Sequence, residues 1–345
     1  MKSAFIAAGM AAAAAASLAA LPAAADEVAD FYQGKQVNVV VGYSPGGGYD
    51  TYTRLLAKHM GKHVPGNPSM IVTNMPGAGS LKAANHTYNV APKDGATLGV
   101  FSAPVAIEPL LGRDNAKYET LKFGWLGNMY RDTHGCAVWH TSKIASLDDV
   151  IKAKEPVVFG ATSASSYGNM HARVLQELAG ANIRIVTGYQ GIKGVGKALQ
   201  QGEITAACAM AVSTLKSAFR SHMERKEFRI IVQFGKQKEP YLGDGTLFYS
   251  RLKSAADRRV ADFFFSQSAI ARPVAAPPGV PKARLAALRK AFQETLRDPA
   301  LLADGKRMGT DITSETAEEV EQAFRDIYAS PPAVIARAKA IMGRK

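Results

Sequence analysis

Gly42-Tyr43-Ser44-Pro45-Gly46-Gly47-Gly48-Tyr49-Asp50 is the stretch whose residue types most plainly suggest chemistry. Three consecutive glycines leave main-chain N–H groups unshielded by side chains. Before them, 36–41 is short and β-branched, the pattern of a buried strand. After them, Tyr52, Leu55, Leu56 and Met60 share one face of a helix. Where a strand gives way to a helix, the helix N-terminus carries unsatisfied donors and positive partial charge. That setting favours an anion such as a carboxylate or phosphate. Glycine also serves loops that need only unusual backbone angles. Asp50 stands either to recognise an amino or hydroxyl group on a ligand or to cap the first helical turn, and the cap is favoured.

Other motifs come near to enzyme signatures and fail on physical points. Gly42-Tyr43-Ser44-Pro45-Gly46 fits the G-x-S-x-G nucleophile elbow, in which the residue after Ser donates its N–H to the oxyanion. Pro45 has no N–H. A secreted serine hydrolase using Ser44 is therefore an alternative, and the expectation is that the protein is not an enzyme. Gly191-Ile192-Lys193-Gly194-Val195-Gly196-Lys197-Ala198 approaches a P-loop, but Ala198 replaces the magnesium-ligating hydroxyl. The glycines at 46–48, 77 and 79 do not make G-x-G-x-x-G, so no dinucleotide cofactor is indicated. His59 and His63 lie one helical turn apart without the Glu of H-E-x-x-H or a third ligand, and read as surface histidines rather than a metal site. The basic stretch 220–229 includes Glu224 and Glu227 and lacks interleaved aromatics, so it is no nucleic-acid signature.

The elements that position these residues alternate. Strand-like segments at 36–41, 69–74 and 97–102 are separated by helical patterns, which implies a parallel sheet with helices on its faces. A second unit follows, with strands at 137–139, 156–160, 183–186, 204–208 and 229–234. Helices fall at 167–179 and 195–201. Amphipathic helices at 281–297, 315–328 and 331–342 close the chain. The length of 345 residues suits about two domains. At 47% hydrophobic and 21% charged residues the composition is that of a globular protein, and two cysteines are too few for a disulfide scaffold.

The N-terminus predicts export. Lys2 precedes an apolar, small-residue stretch from Ala4 to about Leu21, and Pro22-Ala23-Ala24-Ala25 supplies small residues before Asp26. This is a signal-peptide pattern, with cleavage near Ala25. No apolar run of about 18 residues lies beyond it. The formal net charge of +13 suits solubility, and also attraction for anionic ligands.

Pro45 to Asp50, Asn74-Met75-Pro76-Gly77-Ala78-Gly79, Ala91-Pro92-Lys93-Asp94-Gly95-Ala96-Thr97-Leu98, 160–166, Thr187-Gly188-Tyr189-Gln190-Gly191, Gln201-Gly202-Glu203-Ile204 and Ala276-Pro277-Pro278-Gly279-Val280-Pro281 occur in an order that resembles the Bug family. These are the periplasmic solute receptors of tripartite tricarboxylate transporters (TctC-like). The likeness runs through essentially the whole chain after residue 25. It implies an α/β, two-lobed type II periplasmic-binding-protein fold with a ligand cleft between lobes. The expected division is a signal peptide at 1–25, lobe one at 26–134, lobe two at 135–262, and a return to lobe one with C-terminal helices at 263–345.

The resemblance also implies a small organic carboxylate ligand, membrane permease subunits as partners, a monomer, and neither cofactor nor nucleic acid. A ligand sensor for a membrane signalling partner is a further alternative on the same fold. Carried over by position, Tyr43, Ser44, Gly46, Gly47, Gly48, Tyr49 and Asp50 form the first-lobe loop, with Ser102 on the same side. Thr162, Ser163, Ser165 and Ser166 form the second-lobe loop. Tyr189 and Gly191 close over the ligand, and Met210 and Ser213 line the cleft. Many members carry glycines where Ser163 and Ser165 stand here. The implied fold lays the strand entering lobe two beside that lobe's third strand, which brings Cys136 and Cys208 together. Export permits them to oxidise to a disulfide.

Overall fold

The computed structural model describes residues 27–344. The signal-peptide assignment at 1–25 lies outside the described residues. Two six-stranded sheets are formed, and most strands in each are joined by helices.

The first sheet starts with β1 (Gln36–Val41), α1 (Gly48–Met60), β2 (Ser69–Asn74), α2 (Leu81–Asn89) and β3 (Thr97–Val100). β2 and β3 pair parallel on either side of β1. The valines of β1 are buried, which explains a run that shows no polar alternation. β3 stops at Val100, two residues short of the expected end, because a 3₁₀ turn with Pro104 near its start takes over from Ser102. β4 (Gly124–Asn128) is the last strand before the chain crosses to the second sheet.

The second sheet repeats this plan. β5 (His134–Trp139), α3 (Leu147–Lys152), β6 (Val157–Ala161), α4 (Tyr167–Ala179), β7 (Ile183–Thr187), α5 (Gly191–Gln200) and β8 (Ala206–Ala211) follow in order. α6 (Val212–Lys216), α7 (Arg220–Glu224), β9 (Phe228–Gln233), β10 (Thr246–Leu247) and α8 (Ala255–Phe265) complete it. The spatial order is β10-β9-β5-β8-β6-β7, with β5 antiparallel to both neighbours. α5 begins four residues earlier than its sequence pattern indicates. Gly191, Gly194 and Gly196 weaken the local helical signal. Burial of Val195, Ala198 and Leu199 against the sheet overrides it.

The chain then returns. β11 (Pro273–Ala276) inserts antiparallel between β3 and β4, followed by α9 (Lys282–Arg297), α10 (Pro299–Met308), β12 (Glu315–Thr316), α11 (Ala317–Tyr328) and α12 (Pro332–Ile341). The first sheet therefore reads β12-β4-β11-β3-β1-β2. Each sheet thus contains one antiparallel strand that arrives from the other lobe. The two crossings lie side by side: Met129 N–H donates to Arg272 O at 3.1 Å, and Asp132 N–H donates to Ser268 O at 3.1 Å. Short paired crossings allow two lobes to move about one hinge.

Two expectations from sequence are decided here. Cys136 and Cys208 are disulfide-bonded between β5 and β8, at an irregularity in the strand register. His59 and His63 are not free surface histidines. His59 is buried with Nε2 2.9 Å from Asp304, and half-buried His63 lies 3.2 Å from Asp298. Asp298 caps α10 and Asp304 lies within it, 235 or more residues along the chain, so sequence spacing gave no hint of the pairing.

Candidate ligand-binding cleft

The β1–α1 loop and the β6–α4 loop occupy corresponding places in the two lobes. Each joins the carboxyl end of a parallel strand to the N-terminus of a 13-residue helix. In open α/β sheets ligands bind beyond such strand ends. Here the two loops face each other across a cavity of about 80 Å³. That is several times the roughly 10–15 Å³ that one buried water requires.

Lobe one contributes Tyr43, Ser44, Gly47, Gly48 and Tyr49 to the lining. Gly47 precedes the helix and Gly48 opens it, so no intrahelical carbonyl serves their amides. Tyr43 and Tyr49 stack, with ring centroids 5.0 Å apart. Lobe two contributes Thr162, Ser166, Tyr167, Gly191, Ile192 and Lys193, among others. The lobes meet at the rim. A methyl group placed on Gly46 would lie 2.6 Å from Lys193 Nζ, and one on Gly79 would lie 2.8 Å from Ser165 O. These glycines let backbone and side chains of opposite lobes approach where any Cβ would hold them apart.

Eight of the positions expected from sequence lie off the main cavity, each for a structural reason. Gly46 donates its amide to Asp50 Oδ2 at 2.8 Å, so that N–H is spent within the loop. Asp50 is buried and also accepts from Arg54 and Asn74. Burial opposes its charge, but those donors hold its carboxyl below the ordinary value. These bonds brace the loop. Ser102 donates to Gly79 O at 2.9 Å. Ser163 and Ser165 pack against Gly79. Tyr189 donates to Glu203 at 2.7 Å and lines a neighbouring cavity instead. Met210 is buried in the lobe-two core with Val195 and Leu199. Ser213 donates to Asp132.

Sequence reasoning missed the inner end of the cavity. Arg272, His134, Tyr167 and Thr214 line it. Arg272 is 1% exposed and donates from Nη2 to Asp132 at 3.1 Å and to Ser213 Oγ at 2.6 Å. Its guanidinium carbon lies 4.3 Å from the Tyr49 ring centre. Burial pushes the Asp132 carboxyl up, against the pull of Arg272 and Ser213. Burial, with His171 and Arg272 nearby, holds His134 neutral, well below the usual histidine range. A signal for Arg272 was present: it is the one charged residue between Ala269 and Val280, and a charge in an apolar strand requires a partner. Ala209, at the disulfide, also lines the cavity and holds a left-handed φ of 63°, strain of the kind concentrated at functional sites.

Ser44 lies at the cleft, but among the described residues no hydrogen bond joins it to a histidine, and Pro45 cannot donate to an oxyanion. Among the described residues no three His, Cys, Asp or Glu side chains are grouped to hold a metal ion, and no helix is long and apolar enough to cross a membrane.

The family model for the tripartite tricarboxylate transporter family receptor matches residues 53–339, and the chain belongs to that family. A Cupriavidus necator relative, a UPF0065 protein in the gbd 5′ region, is 35% identical over 146 residues, 42% of each chain. The chain therefore spans less than half the length of that curated relative. Among solved structures, the periplasmic binding protein BugD superposes with a TM-score of 0.72 at 18% identity, covering 90% of this chain and 98% of its own. MatC from Rhodopseudomonas palustris, solved with bound malate, gives 0.67 at 18% identity, covering 89% and 99%. These likenesses establish the two-lobed periplasmic-binding-protein fold.

Proposed function

We propose that this receptor is exported to the periplasm, captures one small organic carboxylate between its lobes as a monomer, and delivers it to the permease subunits of a tripartite transporter. The observation that carries this reading is the cavity itself: helix N-termini from both lobes border it, and both lobes supply hydroxyls and amides to its walls. On this reading the amides of Gly47 and Gly48 and the hydroxyls of Ser44 and Thr162 receive the carboxylate. Tyr43 and Tyr49 form one wall, and Gly191 and its neighbours close the other. MatC was solved with malate, a carboxylate, in the same fold.

A ligand that touches both lobes binds the closed form better than the open one, and so drives closure. Charge-assisted hydrogen bonds contribute about 1.5–3 kcal/mol each. Four or five of them, less the cost of immobilising the ligand, suit micromolar or tighter binding. A thermal-shift screen of small organic acids tests the reading. An acid present at 100 times its Kd should stabilise the folded chain by about 2.7 kcal/mol. A panel in which no organic acid raises the melting temperature would sink it.

A further inference from the structure

Carboxylate recognition leaves the rest of the ligand open, and the walls of the same cavity bear on it. Two aromatic pairs line it, one on each side. Tyr43 and Tyr49 stack at an interplanar angle of 17° on the first lobe. His134 and Tyr167, at the entry to the second lobe, have ring centroids 4.4 Å apart. Ile192 and Val195 add apolar surface.

The inner end carries one fixed positive charge, Arg272, beside the Tyr167 and Thr214 hydroxyls and the neutral imidazole of His134. Among the described residues Arg272 Nε, buried, has no partner, and neither do the buried Tyr167 hydroxyl and His134 Nδ1. Buried polar atoms of this kind call for a hydrogen-bonding partner. Among the described residues no aspartate or glutamate lines the cavity, so an ammonium group would enter without a counter-charge. Two acids bonded to or adjoining lining residues are committed: Asp50 to Arg54, Asn74 and Gly46, and Asp132 to Arg272 and Ser213.

Resting on the receptor reading above, we propose that the ligand is an aromatic carboxylate without an ammonium group. Its ring lies between the Tyr43–Tyr49 and His134–Tyr167 pairs, and its carboxylate is held by the Gly47 and Gly48 amides, beside which Thr214 and Arg272 lie. Offset or edge-on ring packing contributes beyond simple apolar burial, so a flat π-system is distinguished from a saturated ring of similar size.

The test is titration calorimetry and thermal shift on the oxidised, exported chain. The probes are benzoate, phenylacetate, cyclohexanecarboxylate, succinate and glutamate. Benzoate or phenylacetate should bind several-fold to about tenfold tighter than cyclohexanecarboxylate, the range that one aromatic contact supplies. Succinate and glutamate should give no shift. If succinate or glutamate binds and the aromatic acids do not, the aromatic assignment fails while the receptor reading stands. If cyclohexanecarboxylate matches benzoate, the assignment fails too. If no acid binds, both fall.

Tyr43→Leu and Tyr167→Leu supply a second arm. Each should reduce the preference for benzoate over cyclohexanecarboxylate in a chain that still melts cooperatively. Tyr43, in a partly exposed loop, is the variant expected to fold without loss. An unchanged preference in folded Tyr43→Leu would overturn the placement of the ring.

Discussion

Arg272 and Asp132 form an ion pair at 3.1 Å that is buried where the two chain crossings meet, between one residue of the outgoing strand connection and one of the return. Both side chains are at most 2% exposed. Arg272→Met would leave the Asp132 carboxylate buried without its cation, a change that costs about 3–5 kcal/mol. The paired change Asp132→Asn with Arg272→Gln removes both charges and should cost clearly less. Urea unfolding of the three chains distinguishes these outcomes. Equal losses in single and double variants would mean that the pair is not what holds the crossings.

Gly48 sits where the lobes are closest to the hinge. A methyl group there would lie 2.7 Å from Thr214 Oγ1 and 2.9 Å from Arg272 Nη2. Its φ is not in the left-handed region, so Gly48→Ala introduces bulk without backbone strain. Overpacking of this kind costs about 1–3 kcal/mol, and if the lobes close on the ligand as proposed, the cost falls on the closed form. Ligand affinity should drop roughly tenfold or more while the melting temperature without ligand is nearly unchanged. Unaltered affinity would show that ligand binding does not need this approach.

His171 is fully buried against Phe234, and among the described residues neither ring nitrogen has a partner. Burial lowers its pKa to about 3. The unfolded chain takes up the proton near pH 6.5, so it binds more protons than the folded chain below that value. Stability therefore falls as pH drops from about 6.5 toward 3, by up to roughly 1.4 kcal/mol per pH unit for this residue. His134 acts in the same direction. His171→Phe should keep its stability at pH 7 and lose less than the parent at pH 5, as read from urea unfolding at the two pH values. Parallel losses in both chains would exclude His171 as the cause.

The Cys136–Cys208 bond closes a segment with a sequence separation of 72, running from β5 through the second-lobe loop to β8. A cross-link of that span restricts the unfolded chain and stabilises by about 2–4 kcal/mol. Cys136→Ala with Cys208→Ala should lower the unfolding free energy by that amount. Because Cys208 and Ala209 line the cavity, affinity should fall as well. Reduction that leaves both stability and affinity unchanged would rule out a structural role for the bond.

Much of this was readable before any tertiary contact. The valines of β1, the glycines after them and the amphipathic α1 define a strand–loop–helix junction by local pattern alone, because burial periodicity and backbone freedom are properties of neighbouring residues. The second junction, from β6 to Tyr167, was legible for the same reason, and the ordered motifs carried the family and its two-lobed fold. Which hydroxyls and amides actually reach the cavity was not legible. Ser102, Ser163 and Ser165 look equivalent to Ser44 and Thr162 in sequence, yet packing turned them toward Gly79 and their own loops.

Sequence, then, determined the anion-ready loops and the lobes that bear them, since both follow from residues close together along the chain. Only the tertiary structure decided that Asp50 braces its own loop, that His59 and His63 pair with Asp304 and Asp298, and that Arg272, His134 and Tyr167 form the inner end of the cleft. The physical reason is distance along the chain. Asp132 and Arg272 are 140 residues apart, and the energy of a buried charge depends on which partner the fold brings beside it, a fact that no local pattern records.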